Sequence, residues 1–144
     1  MIVYLAASLK DMGQRARNKH IATMIENKYQ GGISKPNVYL PQDYMVLKSD
    51  ATQDDRANVY HDNMNMIRRA DLMIAILDDK DSGVIYEMGG RGMLGQPMMA
   101  LYTNPVPNIN VMLTMGCVAV CNGIREFEIW MANPKTKPYT GRTE

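Results

Sequence analysis

Two carboxylates stand in Asp81-Ser82-Gly83-Val84-Ile85-Tyr86-Glu87, followed directly by Met88-Gly89-Gly90. A tight turn at Ser82-Gly83 and the first turn of a helix separate them, so both side chains can reach one crevice. A helix N-terminus favours an anion, because its free N–H groups and dipole are positive. That would help hold Glu87 ionised, as a carboxylate nucleophile requires. A second carboxylate nearby pushes one of the pair toward its protonated form, which suits an acid. Gly89, Gly90 and Gly92 each cost roughly 1 kcal/mol of helix propensity relative to alanine. Close approach of another backbone or a ligand is one reason to keep them. The same residues also fit a plainer reading, since acidic groups in a first turn are routine dipole complements.

Strands and helices must position these groups. Ile2 to Ala6 reads as a buried strand, and Ile21, Met24 and Ile25 recur at helical spacing until Gly31-Gly32. Val38 to Leu40 is a short second strand stopped by Pro41. Ala57, Tyr60, Met64 and Ile67 mark one face of the next helix. Leu72 to Leu77 is apolar without alternation, as a central parallel strand is. A helix from about Val84 to Gly95, a strand Met98 to Tyr102, a Pro/Asn-rich loop 103–110, a strand Cys117 to Val120 and a helix Ile124 to Met131 follow. The tail from Asn133 is polar. Strands alternating with helices imply an α/β fold, a flavodoxin-like, Rossmann-like doubly wound five-stranded parallel sheet of order 2-1-3-4-5, formed by one domain over residues 1–144. Ligands of such a sheet bind beyond strands 1 and 3, where the winding reverses. That places residues 6–10 and 78–87 at the site before any motif is invoked.

Composition narrows the function classes. The chain has 144 residues, 46% hydrophobic and 22% charged, and 16 Lys plus Arg oppose 15 Asp plus Glu. This balance argues against a nucleic-acid binder or a polybasic membrane binder. Cys117 and Cys121 are too few for a disulfide framework, and His20 and His61 are far apart, so no metal site and no cofactor is expected. The longest apolar runs are strand-sized, and the start lacks a signal sequence, which suggests a cytoplasmic protein. Fourteen methionines beside one Phe and one Trp read as adaptable core filler. Gly-x-Gly-x-x-Gly is absent after the first strand, which weakens a dinucleotide reading. Ala6-Ala7-Ser8-Leu9-Lys10 lacks the acidic residues of a receiver domain.

Tyr4-Leu5-Ala6-Ala7-Ser8, Ala70-Asp71, the segment Asp81 to Gly89 and Asn110-Val111-Met112-Leu113 together resemble the nucleoside 2-deoxyribosyltransferase family. Its relatives include 2'-deoxynucleoside 5'-monophosphate N-glycosidases. The resemblance implies that Glu87 attacks C1' of a 2'-deoxynucleoside, releases the base and forms a covalent deoxyribosyl-enzyme. A second base or water then resolves it with retention, as in retaining glycosidases. It implies that Tyr4 orients the nucleophile and that Asp81, next to Gly83, contacts the nucleoside and assists proton transfer. It further implies that Asn110, in the motif that includes Met112, reaches the sugar's 5' end across a subunit interface. A homo-oligomer with a shared site follows, and the Met-rich segment Val111 to Met115 offers adaptable apolar surface.

Two departures concern the base. Many members carry Asp where this chain has Asn63, beside Asp62; Asn cannot deliver a titrating proton but offers a donor and an acceptor to a base edge. Members also often place Gln after the second strand's proline, where Met45 falls nearest and Gln42 is a substitute. Three functions remain open at this point. Base exchange between deoxynucleosides ranks first. Hydrolysis of deoxynucleoside monophosphates is second, because the loop from Ser8 to Arg17 carries three cations, a hydroxyl and a glycine. A catalytically silent nucleotide sensor on the same fold is third. In some relatives the C-terminal segment folds over the site, which would assign that role to Lys137-Pro138-Tyr139.

Overall fold

The structure, a computed structural model, describes residues 1–44 and 46–144. Five strands, β1 (Ile2–Ala6), β2 (Asn37–Tyr39), β3 (Leu72–Ile76), β4 (Met98–Tyr102) and β5 (Ala119–Asn122), form one sheet of order β2-β1-β3-β4-β5. Every pairing is parallel. The fold class and strand order read from the sequence are therefore those observed. Helices α1 (Met12–Lys28), α2 (Gln53–Arg69), α3 (Ser82–Met93), α4 (Val111–Gly116) and α5 (Ile124–Ala132) make the crossovers and cover the faces. No helix among the described residues is long and apolar enough to cross a membrane.

Strand alternation sorts the core into two layers. Val3, Leu5, Ile74, Ile76, Met99, Leu101 and Cys121 pack against Ile21 and Ile25 of α1 and against Phe127 and Trp130 of α5. The opposite face presents Tyr4, Ala6, Met73, Ala75, Met98, Ala100 and Val120 to Ile67 of α2 and to Val84 and Met88 of α3. On that face Ala6, Ala75 and Ala100 stand in register across β1, β3 and β4. Such a row of small side chains lets α3 settle close to the sheet. A Cβ on Gly90 would meet Met64 Cε at 3.3 Å, so this glycine serves the close approach of α3 to α2.

Four details differ from the sequence reading. Helix α3 starts at Ser82, two residues before the expected Val84, because Asp81 caps it: Oδ1 accepts from the N–H groups of Gly83 and Val84 at 2.8 and 3.3 Å. Strand β5 is shifted two residues toward the C-terminus. Helix α4 was not anticipated; its six residues are too few for a periodic pattern, and Asn110 caps it. The tail does not cover the crevice above β1 and β3. It runs along the open edge of β5 instead, where Lys137 N–H donates to Val118 O at 2.8 Å and Lys137 Nζ reaches Val120 O and Glu126. An otherwise free sheet edge is thereby covered.

Gly123, between β5 and α5, sits at φ 133° and ψ 153°, a region that only glycine occupies without strain. Gly123→Ala should therefore cost about 1–3 kcal/mol, read as a lower urea midpoint with an unchanged slope.

Candidate active site

The parallel registers bring the ends of β1 and β3 together and open a cavity of about 460 Å³ above them. This volume lies within the ordinary range of small-ligand pockets. The loop after β1 contributes Ser8, Leu9 and Lys10, and the first turn of α1 contributes Arg15; the segment after β2 contributes Pro41, Val46 and Leu47. Helix α2 adds Val59 and Asn63, and α3 with its cap adds Asp81, Gly83, Val84 and Glu87. The lining is thus mixed: Leu9, Pro41, Val46, Leu47 and Val59 supply apolar surface suited to a flat ring, Asn63 supplies an amide, and Lys10, Arg15, Asp81 and Glu87 supply charge.

Tyr4 and Glu87 meet although 83 residues separate them: the Tyr4 hydroxyl donates to Glu87 Oε1 at 2.8 Å. Tyr4 is wholly buried behind the carboxylate, its ring packed against that of Tyr39 with centroids 5.5 Å apart. Glu87 is half-buried at the cavity wall. Loss of hydration raises its pKa to about 7; the Tyr4 hydrogen bond opposes the rise and the charge of Asp81 adds to it. Burial likewise pushes the Tyr4 phenol far above its ordinary value, so it remains a donor.

The two carboxylates divide their roles differently from the sequence expectation. Glu87 lies in the second turn of α3, and the N-terminal N–H groups go to Asp81 instead. Burial raises the Asp81 pKa, but hydrogen bonds from Lys10, Val84 N–H and Gly83 N–H outweigh that and leave it below the usual carboxylate range. Lys10 Nζ stands 3.0 Å from Asp81 Oδ2. Asp81 is therefore the fixed anion, and Glu87 is the group poised to titrate near neutrality.

Of the residues singled out in the sequence, Glu87, Asp81, Asn63, Ser8 and Gly83 line the cavity, with Tyr4 behind Glu87. Ser8 is buried and donates its hydroxyl to Gln14 Oε1. Gln42 is turned away: its Nε2 donates to Arg15 O at 3.0 Å and its Oε1 accepts from Asn18 Nδ2 at 3.1 Å. It ties α1 to the turn after β2, and Met45 lies outside the described residues. Asp62 is exposed and does not line the cavity. Asn110 spends its side chain on the Met112 N–H at 2.9 Å, and Met112 lines a separate apolar groove between α3 and α4. Leu9, Pro41, Val46, Leu47 and Val59 also line the cavity and belong to no motif in the sequence, although Val59 lies one helical turn before Asn63. Among the described residues no three His, Cys, Asp or Glu side chains converge as a metal site would require.

A carboxyl group whose pKa is raised in the folded state destabilises the fold wherever it must ionise. Below the unfolded value of about 4.3 both states hold the proton and the penalty vanishes; it grows as pH rises to about 7. Glu87→Gln should therefore unfold at higher temperature than the parent above pH 7, by an amount worth at most about 3 kcal/mol, and match it near pH 4.

Several solved structures share this fold. A 2-deoxyribosyltransferase from Bacillus psychrosaccharolyticus superposes with TM-score 0.79 at 21% identity, over 96% of this chain and 99% of that one. A conserved protein from Enterococcus faecalis gives 0.62 at 17% identity, over 100% and 90%. A CMP N-glycosidase from Clostridium botulinum gives 0.56 at 15% identity, over 90% and 95%. No curated protein sequence matches significantly. Residues 3–126 match the family model described as nucleoside 2-deoxyribosyltransferase, a span that contains every residue of the cavity. By that match the chain belongs to the nucleoside 2-deoxyribosyltransferase family.

Proposed function

We propose that this protein is a nucleoside 2-deoxyribosyltransferase, working as one domain, that moves 2-deoxyribose between nucleobases through a covalent ester on Glu87. The observation that carries the reading is the Tyr4–Glu87 hydrogen bond at a cavity lined by both charged and apolar side chains. The Tyr4 hydroxyl holds one carboxylate oxygen and leaves the other to attack C1' from the face opposite the base. The C1'–N bond breaks as the C1'–O bond forms, and the departing base takes the electron pair and then a proton from solvent. A second base attacks from the side the first one left, gives its N–H proton to solvent, expels Glu87 and restores the starting configuration. Asp81, held ionised by its hydrogen-bond donors, serves as a binding contact with the sugar and not as the acid. Asn63 offers both a donor and an acceptor to the base edge.

Deoxynucleosides are the favoured substrates because the cavity's charges balance: Lys10 and Arg15 line it together with Asp81 and Glu87. The two cations are also what favours the second reading, hydrolysis of a 5'-monophosphate. Rates of base release from a deoxynucleoside and from its 5'-monophosphate separate the two. A faster monophosphate that yields no exchanged nucleoside would reverse their order. Binding of either without base release would leave only a sensor.

The active form in this reading is a homo-oligomer whose subunits share the site. Ile85, Tyr86, Met93, Met112 and Met115 are all exposed, four of them lining the groove of about 640 Å³ beside the cavity, and Ile67 alone is buried on α2. A contiguous apolar face of this kind marks an association surface. Asn110, at the base of α4, would then act on a neighbouring subunit's substrate.

Incubation with 2'-deoxyadenosine and free cytosine, or the reverse pair, should yield the exchanged nucleoside. Glu87→Ala should lower that rate by ~10³-fold or more. The kcat/KM of the parent should rise with pH through about 7 as Glu87 ionises. Tyr4→Phe, which removes a hydrogen bond favouring the ionised form, should move that rise to higher pH. Met93→Lys combined with Met115→Glu should shift the sedimenting species toward monomer and reduce exchange in parallel; full activity as a monomer would contradict the shared site.

A further inference from the structure

Arg91 is wholly buried one helical turn beyond Glu87, and all its hydrogen-bond partners are neutral oxygens. Its Nη1 donates to Ile67 O at 2.6 Å, to Ala70 O at 2.9 Å and to Gln96 Oε1 at 2.7 Å, and its Nε donates to Pro97 O at 3.2 Å. Gln96 in turn gives its Nε2 to Arg68 O at 3.0 Å. Ile67, Arg68 and Ala70 form the C-terminal end of α2, where carbonyls lack intrahelical partners and the helix dipole is negative. A guanidinium suits that end, which explains how the cation is held without direct contact to a carboxylate. Buried charge is a poor source of net stability, since an apolar side chain avoids its desolvation. What a planar, multiply donating group supplies instead is direction.

The direction matters because of what stands one turn away on each helix. Asn63 precedes Ile67 by one turn of α2, and Glu87 precedes Arg91 by one turn of α3, and both line the cavity. Resting on the proposed role of Glu87, we infer that Arg91 is a positioning residue: it fixes α2 against α3 and so sets the distance between the base-reading amide and the nucleophile. It touches no substrate. Its effect falls on the alignment of C1' with the carboxylate, where a displacement of about 1 Å costs ~10²-fold in rate.

Arg91→Lys and the milder Gln96→Leu test this, with folding checked by circular dichroism and by a melting temperature above that of the assay. Exchange between 2'-deoxyadenosine and cytosine should fall in kcat by ~10- to 100-fold for Arg91→Lys and by a few-fold for Gln96→Leu. Free adenine and free cytosine, measured by calorimetry, should bind each variant within about 2-fold of the parent, because the base wall itself stays intact. The rise of kcat/KM near pH 7 should not move. Unchanged kcat in folded Arg91→Lys overturns the inference. So does a loss of base binding in proportion to the loss of rate, which is the mark of a smaller active fraction. If Arg91→Lys does not fold, Gln96→Leu decides on the same criteria. An active parent with inactive Glu87→Ala and unaffected clamp variants would reject Arg91 alone. A parent that releases no base would instead reject the reading of Glu87.

Discussion

A carboxylate held partly out of water by one buried phenol is the constraint around which this molecule is arranged. Water would solvate Glu87 better than the protein does, and the Tyr4 hydroxyl returns only part of that loss. The surrounding architecture makes the arrangement stable. Tyr4 sits on a strand flanked on both sides, so its ring cannot swing away. Asp81 absorbs the free N–H groups of α3 and fixes where that helix begins, and hence the rotation at which Glu87 faces the cavity. The alanine row beneath lets the helix lie close enough for a 2.8 Å hydrogen bond to strand β1. A poorly hydrated carboxylate is also the more reactive nucleophile, so the same energetic cost serves the chemistry.

Much of this was legible in the residues. Uninterrupted apolar strands separated by helical segments dictated a parallel sheet, and the strand order then placed the crevice between β1 and β3. Topology alone brought residues 6–10 and 78–87, Glu87 among them, to that crevice, whereas Tyr4 lies inside β1 and stood out only through the family resemblance. What escaped were features decided by short-range competition. Asp81 looks like a turn residue until its side chain is seen taking two backbone N–H groups, which moves the helix start to Ser82. That shift transfers the dipole's benefit from Glu87 to Asp81 and reverses which carboxylate is held ionised. Six residues of α4 are too few to show a period, and Gln42 betrays nothing in sequence of its two-sided tie between α1 and the β2 loop.

The groove beside the cavity shows a second tension. Helix α3 carries glycines that cost helix stability, and exposed methionines and Tyr86 flank them. Within one chain that face is unfavourable on both counts. The site and the uncovered face share α3, so the helix that presents Glu87 inward presents Ile85, Tyr86 and Met93 outward. Covering the outer side would stiffen the inner one.

The central claim, that Glu87 bonds to the anomeric carbon, is tested most directly by trapping. With a 2'-deoxy-2'-fluoro-arabinosyl nucleoside, fluorine destabilises the positive charge that develops on the sugar in both steps, and a good leaving base restores the first step alone, so the ester accumulates. Mass spectrometry of protein quenched in acid and digested should then show one 2-deoxy-2-fluoroarabinosyl adduct on the peptide containing Glu87. Base release with no adduct there, or with the adduct on another residue, would contradict the account.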